Sequence, residues 1–251
     1  ISVGASENTQ PGSSLTWGSG WPADFSANPL RDDRVADNAE HIAAFSGRGP
    51  TSAASGGRIK PDVLAPGTSI LAALSSRWNS TTDPNFTQSI NAWCDFSAGD
   101  RYVCMGGTSM AAPHVTGMCA LVRQYLRRVH NFSDPFNPDL RRRRPSAALI
   151  KALLIHGARQ VAGQSAANAG TVPSNHQGWG RVDLRRSLFG HPVQTIAALD
   201  ATWLPRRTVW LDDPALVLNG LPAADPASRL AHEVRVRVAD TSVPLRATLV
   251  W

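Results

Sequence analysis

The sequence predicts an α/β fold followed by the start of an antiparallel β domain. Short apolar runs bounded by Gly or Pro, such as residues 62–66 and 69–74, are typical of buried strands. Two longer runs, residues 108–126 and 146–155, carry apolar residues at helical spacing. Residues 208–251 contain stretches in which apolar and polar residues alternate, which indicates antiparallel strands. Strands that alternate with helices form a layered α/β structure.

The individual elements follow from local signals. Further strands are predicted at residues 1–5 and 42–46, and the runs at 42–46, 62–66 and 69–74 should be covered on both sides. Residues 75–100 are polar and form an exposed insertion before a β-prone run at 101–105. The first helix, from Thr108, should be largely buried. The second begins after Pro145 and ends near Gly157, as helix start and stop residues require.

Length and composition exclude several classes of protein. The chain has 251 residues, of which 42% are hydrophobic and 18% charged, so it can bury a large core and is neither a mini-protein nor globally disordered. No apolar stretch approaches the roughly 18 to 20 residues that a membrane span needs. Because the first residues, ISVGA, lack both Met and a leader pattern, we expect a soluble piece of a longer chain with no membrane partner.

The net charge of +6 is concentrated in one place. Four of the six units come from the run Arg141 to Arg144, which lies between Pro138 and Pro145. We interpret this run as a solvated loop and expect no nucleic-acid partner, because a nucleic-acid groove needs spread basic residues with stacking aromatics. Two alternatives stay open: cleavage by a protease specific for basic residues, and nucleic-acid binding that would weaken steeply with salt.

The cysteines and the N-glycosylation sequons indicate in which cellular compartment the protein folds. Cys94 and Cys104 flank a short polar turn, so they form either a disulfide or two free thiols, while Cys119 lies in the first helix and is interpreted as a small buried hydrophobe. Candidate N-glycosylation sites begin at Asn79, Asn85 and Asn131. Together they favour an extracellular or secretory location.

The most informative run is GGTSMAAPHV at residues 106–115. A Gly-Gly turn lets the backbone approach a ligand closely, and the hydroxyl residues after it open an apolar helix. An isolated Gly-Thr-Ser would be interpreted as a helix cap. All ten residues, however, resemble the nucleophile motif of the subtilases, the subtilisin-like serine proteases.

The flanking blocks resemble the same family in the same order. They are ISVGA, FSGRGP, KPDVLAPG and GWGRVDL. SAALIKALLIHGA and the final PLRATLVW resemble those subtilases that carry a C-terminal jelly-roll β-sandwich. The resemblance implies a partial subtilisin-like parallel sheet with helices on both faces in residues 1–190, the C-terminal half of a peptidase domain. It also implies that residues 191–251 are the first strands of an incomplete jelly-roll-like β domain.

When the roles of the subtilase motif are transferred by position, Ser109 corresponds to the nucleophile. Its backbone N–H corresponds to one of the donors that stabilise the oxyanion. Thr108 could add a second, weaker hydroxyl donor. A serine hydroxyl needs a histidine base that a carboxylate orients. In subtilisin the order along the chain is Asp, His, Ser, so the resemblance implies that the first two, with the oxyanion Asn, precede Ile1.

Residues within the chain are weaker candidates for these roles. His114 is five positions after Ser109 on the same predicted helix and so faces about 140° away from it. His41 lies near three aspartates but leads into FSGRGP, and His156 is interpreted as a capping or packing residue. Asp62 follows a proline in a block that the family uses structurally, which favours a turn-forming role.

These observations predict a serine endopeptidase that cleaves protein or peptide substrates through an acyl-enzyme on Ser109. The 251 residues alone should be nearly inactive and monomeric, with no cofactor. The alternative is a non-catalytic binding or adhesion protein on the same scaffold. No residue set offers metal-ligand spacing, although the resemblance allows a structural calcium ion. The glycine-rich loop between Trp17 and Trp21 could lie along a substrate groove.

Overall fold

A computed structural model describes residues 1–79, 81–85, 93–94, 101–129, 145, 147–164, 167–168, 170–189 and 248. The strands are β1 (Val3–Ser6), β2 (Val63–Pro66), β3 (Ile70–Ala73), β4 (Tyr102–Met105), β5 (Gly163–Gln164) and β6 (Ala167–Asn168). The helices are α1 (Trp17–Gly20), α2 (Thr108–Val129), α3 (Ala147–Gly157) and α4 (Leu184–Phe189), with a 3₁₀ turn at Ala53–Ser55. Apart from Thr248, the β domain predicted for residues 191–251 lies outside the described residues.

The chain divides into two compact units. The first contains Ile1–Ala120 and Ala158–Asp183, and the second contains Leu121–Gly157 and Leu184–Trp251. No helix among the described residues is long and apolar enough to cross a membrane.

A parallel strand pair organises the first unit. β1 and β2 pair in parallel with Val3 opposite Val63 and Ser6 opposite Pro66. Three of the four β2 residues are buried, as a strand covered on both faces should be. Since helices accompany this parallel pair, the predicted α/β class is confirmed.

A second strand pair follows directly along the chain. β3 and β4 are antiparallel, with Ile70 opposite Met105 and Ala73 opposite Tyr102. The side chains of β3 alternate between half-buried and exposed, and Leu71 is 53% exposed. The prediction that residues 69–74 are covered on both sides is therefore wrong. Antiparallel strands, unlike parallel ones, commonly leave one face exposed to solvent.

The core of the first unit contains Ile42, Leu64 and Val161, which are at most 2% exposed. Ile42 contributes to this core without a strand of its own, since it forms only an isolated bridge to Ser6. The strand predicted at residues 42–46 is thus wrong. Ile42 and Ala43 are buried at the start of a turn, and an apolar run alone does not distinguish a strand from a packed turn.

Helix α2 is amphipathic and only partly buried. Its fully buried side chains are Ala111, Val115, Val122 and Leu126, which lie within about 60° of one another around the helix. The opposite face is exposed, and Leu121 there is 48% exposed. The prediction of a largely buried helix is therefore wrong, although its start at Thr108 is as expected.

The second unit is built on α3, which begins and ends within two residues of its predicted bounds. Leu149, Leu153 and Leu154 are buried. The last residue of the helix, Gly157, lies against α4 so closely that a Cβ there would be 2.3 Å from the hydroxyl oxygen of Ser187. The lack of a side chain at this glycine allows the two helices to meet.

A buried carboxyl group lies just after β1. The Glu7 side chain is 0% exposed. Burial, with the neighbouring charges of Asp33 and Asp37, raises the pKa of Glu7 to about 9. The nearest basic residue among those described is His41, whose Nδ1 atom lies 3.8 Å from Glu7 Oε2. The carboxyl therefore stays protonated at neutral pH in the folded protein.

Removing the Leu64 side chain should destabilise the fold. Leu64→Ala is expected to lower the free energy of unfolding by about 2–5 kcal/mol, because it leaves a cavity in the core. The matched control Leu71→Ala, on the exposed side of β3, should change it by less than about 0.5 kcal/mol. Urea unfolding of the two variants provides the comparison. Equal losses in both would contradict the assigned core.

Glu7 should make stability depend on pH. Between pH 4.5 and about 9 the unfolded carboxyl loses its proton while the folded one keeps it, so stability should fall as pH rises, by at most about 1.4 kcal/mol per pH unit. Glu7→Gln has no proton to lose and should flatten this slope. The exposed control Asp24→Asn should leave the slope in place. Thermal unfolding midpoints at pH 5 to 9 would test this, and an unchanged slope in Glu7→Gln would refute it.

Candidate functional site

Ser109 is exposed at the start of a long helix. It is the second residue of α2, and Gly106 and Gly107 connect that helix to the end of β4. Among the described residues, no side chain is hydrogen-bonded to its hydroxyl group. The oxygen is therefore accessible to a molecule that approaches from solvent.

Two main-chain hydrogen bonds position the turn before Ser109. The Gly67 N–H donates to the Ser6 carbonyl at 2.9 Å, and the Gly107 N–H donates to the Gly67 carbonyl at 2.7 Å. Ser6 and Pro66 are the last residues of β1 and β2. The turn thus lies at the carboxyl edge of the parallel pair, the edge at which open α/β sheets bind ligands.

Glycine is required at two positions of this arrangement. At Gly67 a Cβ would lie 2.6 Å from the Ala5 Cβ atom and 2.9 Å from the Gly107 carbonyl oxygen, so any side chain would push the turn away from the strands. Gly107 has a φ of 146°, which residues with a side chain rarely adopt. Gly67 and Gly107 are therefore required by the geometry of this turn.

The start of α2 presents a free backbone donor. The N–H groups of Met110 and Ala111 are directed to the Gly107 carbonyl, at 3.0 and 3.3 Å. The Ser109 N–H has no acceptor among the described residues. Free N–H groups and the positive end of the helix dipole both favour negative charge at this point. The arrangement can stabilise an oxyanion that forms next to the Ser109 oxygen.

The histidines considered from the sequence are engaged elsewhere. Nδ1 of His114 lies 2.8 Å from the Met110 carbonyl, to which it donates. His41 contacts Asn38, and Nδ1 of His156 lies 3.1 Å from the Thr248 hydroxyl. In the described part of the chain none of them is hydrogen-bonded to Ser109.

Asp62 is part of the framework of the first unit. Its carboxylate lies 2.9 Å from the Lys60 ammonium group and accepts a hydrogen bond from the Ser2 N–H at 2.6 Å. These contacts connect the start of β1 to the start of β2. The contacts of Asp62 are therefore those of a structural residue, which is the kind of role that the sequence favoured, and not those of a catalytic carboxylate.

One group of side chains has metal-like spacing. Ligand atoms of Glu7, Asp37 and His41 lie within 4.8 Å of one another, a spacing that the sequence pattern did not reveal. The Asn38 amide oxygen accepts from the Glu40 N–H, so its NH2 group faces His41 Nε2 at 3.1 Å and donates to it. The proton of a neutral His41 is then on Nδ1, the atom that faces Glu7. A metal ion at this position would have to displace the proton on Nδ1.

The disulfide candidates and the asparagines of two of the three sequons lie in described residues. Cys94 and Cys104 are joined by a disulfide, with 5.9 Å between their Cα atoms. Asn79 is half-buried in a turn, where its side-chain oxygen accepts from the Thr81 N–H, and Asn85 is exposed. Asn131 and the arginine run at 141–144 lie outside the described residues.

An aromatic cluster beside the turn was missed in the sequence. Trp17 and Trp21 belong to it, but so do Phe25, Phe45 and Trp93. The six-membered ring of Trp93 covers Gly106, where a Cβ would lie 2.4 Å from it. These residues come from segments 17–25, 45 and 93, so no local pattern could bring them together. The Trp-rich composition, with eight tryptophans, was the available signal.

The chain resembles two solved protease structures, and it matches a quarter or less of each of those chains. The chain resembles the CspB protease of Clostridium perfringens with a TM-score of 0.38 and 25% identity, over 75% of this chain and 25% of that one. It resembles fervidolysin from Fervidobacterium pennivorans with a TM-score of 0.34, also at 25% identity, over 61% of this chain and 17% of that one.

Comparison with known sequences identifies the family. A serine protease/ABC transporter B family protein, tagA of Dictyostelium discoideum, is 35% identical over 82% of this chain and 10% of its own length. The subtilisin-like protease SBT2.5 of Arabidopsis thaliana is 40% identical over 35% of this chain and 10% of its own length. The chain thus spans about a tenth of the length of these relatives. The Peptidase_S8 family model matches residues 1–180, and the chain therefore belongs to the subtilase family.

Proposed function

We propose that this chain carries the nucleophile of a serine endopeptidase, which hydrolyses peptide bonds through an acyl-enzyme on Ser109. The observation that carries this proposal is the exposed Ser109 hydroxyl beside a free backbone N–H at the start of α2. Membership of the subtilase family supports serine peptidase chemistry in general. The substrates are proteins or peptides.

Two groups act on the oxyanion in this proposal. When the Ser109 oxygen attacks a peptide carbonyl, negative charge develops on the carbonyl oxygen, and the Ser109 N–H donates to it. Thr108, which is half-buried at the first position of α2, adds a weaker hydroxyl donor. The helix dipole favours the same charge. Each donor contributes most in the transition state, where the charge is largest.

The base and its carboxylate come from outside the described residues. Each described histidine that the sequence offered has another partner, and none is within bonding reach of Ser109. A serine hydroxyl without a base is a poor nucleophile. In subtilisin, loss of the histidine alone costs about 10⁶-fold in kcat. Since none of the described residues supplies that base, we expect the 251-residue chain to react very slowly.

The surroundings of the site support an extracellular or secretory location. The Cys94–Cys104 disulfide is of the kind that persists in oxidising compartments. The exposed Asn85 starts a sequon whose side chain a glycosyltransferase could reach. We expect a monomer that binds neither nucleic acid nor membranes.

Labelling with a fluorophosphonate tests the nucleophile. The longest reading frame that encodes these residues should be labelled at Ser109 within minutes, and Ser109→Ala should abolish labelling. The control Ser55→Ala, which removes another exposed serine, should leave labelling unchanged. The 251-residue chain should be labelled at least 1,000-fold more slowly.

Both labelling experiments have an outcome that would contradict the proposal. Absence of labelling at Ser109 in the longer protein would refute the peptidase and favour a non-catalytic binding protein on the same scaffold. Fast labelling of the 251-residue chain would show that its own residues supply the base. Mass spectrometry of the labelled peptide identifies the serine in both arms.

A further inference from the structure

The aromatic cluster beside the Gly-Gly turn has a buried centre. Trp17 is 1% exposed, and its ring centroid lies 5.2 to 6.3 Å from those of Phe25, Phe45, Trp21 and Trp93. Most of these pairs are tilted or edge-to-face, which are favourable aromatic geometries. Trp17 therefore fixes the position of the rings around it.

The outer part of the cluster is a pair of indoles that is only half-buried. The centroids of Trp21 and Trp93 are 4.4 Å apart, the shortest separation among the described aromatic pairs. Both residues keep part of their surface exposed, unlike Trp17. A rigid, partly exposed indole pair is a suitable surface for another apolar group.

Trp93 is fixed by three separate contacts. Its carbonyl accepts a hydrogen bond from the Ser69 hydroxyl at 2.7 Å, and the next residue, Cys94, is bonded to Cys104 of β4. Its ring also lies on the backbone of Gly106. These contacts hold the indole in place before any ligand binds, which lowers the entropic cost of binding.

The position of Trp93 connects the cluster to the nucleophile. Gly106, which the ring covers, is three residues before Ser109, so their Cα atoms are at most about 11 Å apart. Consecutive side chains of an extended peptide are about 7 Å apart along each face. A peptide with its scissile carbonyl at Ser109 therefore reaches the indole pair with a nearby side chain.

We propose that Trp21 and Trp93 form a subsite for a large apolar or aromatic side chain of the peptide substrate, next to the scissile bond. This inference rests on the proposed function. The occupant is a substrate side chain because the indole pair is apolar and held in place, and because Trp93 lies on Gly106, in the turn that leads to Ser109. A charged side chain would lose hydration there without gaining a partner.

Binding of short peptides to the 251-residue chain tests the subsite without requiring catalysis. Fluorescein-labelled tetrapeptide amides that differ in one side chain, Phe, Leu, Ala or Lys, are compared by fluorescence anisotropy at each position in turn. At one position Phe and Leu should bind at least 10-fold more tightly than Ala or Lys. Absence of such a preference at every position would overturn the proposal.

Substitutions of the tryptophans test whether the two indoles cause the preference for Phe peptides. Trp21→Ala and Trp93→Ala should each reduce the ratio of Phe to Ala affinity to below 3-fold. The control Trp78→Ala, in a half-buried tryptophan outside the cluster, should preserve it. A preference that survives in folded Trp21→Ala would contradict the assignment.

A spectroscopic arm uses the unmodified sequence, so it does not depend on variants that fold. With 5-fluorotryptophan incorporated, the Trp21 and Trp93 resonances should shift when the Phe peptide is added, while the Trp78 resonance should not. Shifts at Trp78 without shifts at the pair would overturn the subsite.

Ser109→Ala separates this inference from the proposed function. The variant should keep the aromatic preference, since the subsite does not include the hydroxyl. Labelling of Ser109 in the longer protein without any preference for Phe would overturn the subsite alone. A preference for Phe without labelling would overturn the peptidase alone.

Discussion

The two main-chain hydrogen bonds that connect Ser6, Gly67 and Gly107 determine where Ser109 lies. They connect the carboxyl ends of two parallel strands to the turn before α2. Backbone groups make these bonds, so the geometry tolerates variation in most neighbouring side chains. It does not tolerate a side chain at position 67, where the three backbone segments are in contact. The exposed hydroxyl and the free N–H of Ser109 are both consequences of this connection.

The side chains near Ser109 come from segments that connect the strands, whereas Ser109 itself is positioned by backbone hydrogen bonds. Trp21, from the segment between β1 and β2, and Trp93, from the segment between β3 and β4, meet beside the Gly-Gly turn at the carboxyl edge of the parallel pair. Long connections of this type carry function because they lie on the surface of a rigid scaffold. The fold fixes the position of the Ser109 oxygen, and Trp21 and Trp93 contribute to the surface near it.

The sequence predicted those features that depend on local pattern. The start of α2, helix α3 and strands β1, β2 and β4 follow from apolar runs, caps and the Gly-Gly turn. The turn at residues 42–46 and the exposed face of β3 could not be predicted, because both depend on which segment packs against them. The aromatic cluster was missed for the same reason: Trp93 is more than 70 residues from Trp17 along the chain. The spacing of Glu7, Asp37 and His41 likewise appears only when separate segments are folded together.

The bond between Cys94 and Cys104 joins the segment that carries Trp93 to the strand that leads into the Gly-Gly turn. Reduction would free that segment at one end while the glycine contacts around Ser109 remained, since those contacts are made by other backbone atoms. If the proposed function and subsite hold, a reducing environment would alter which peptides bind before it altered the geometry around Ser109. Peptide selection and the reactivity of Ser109 would then respond to different chemical conditions.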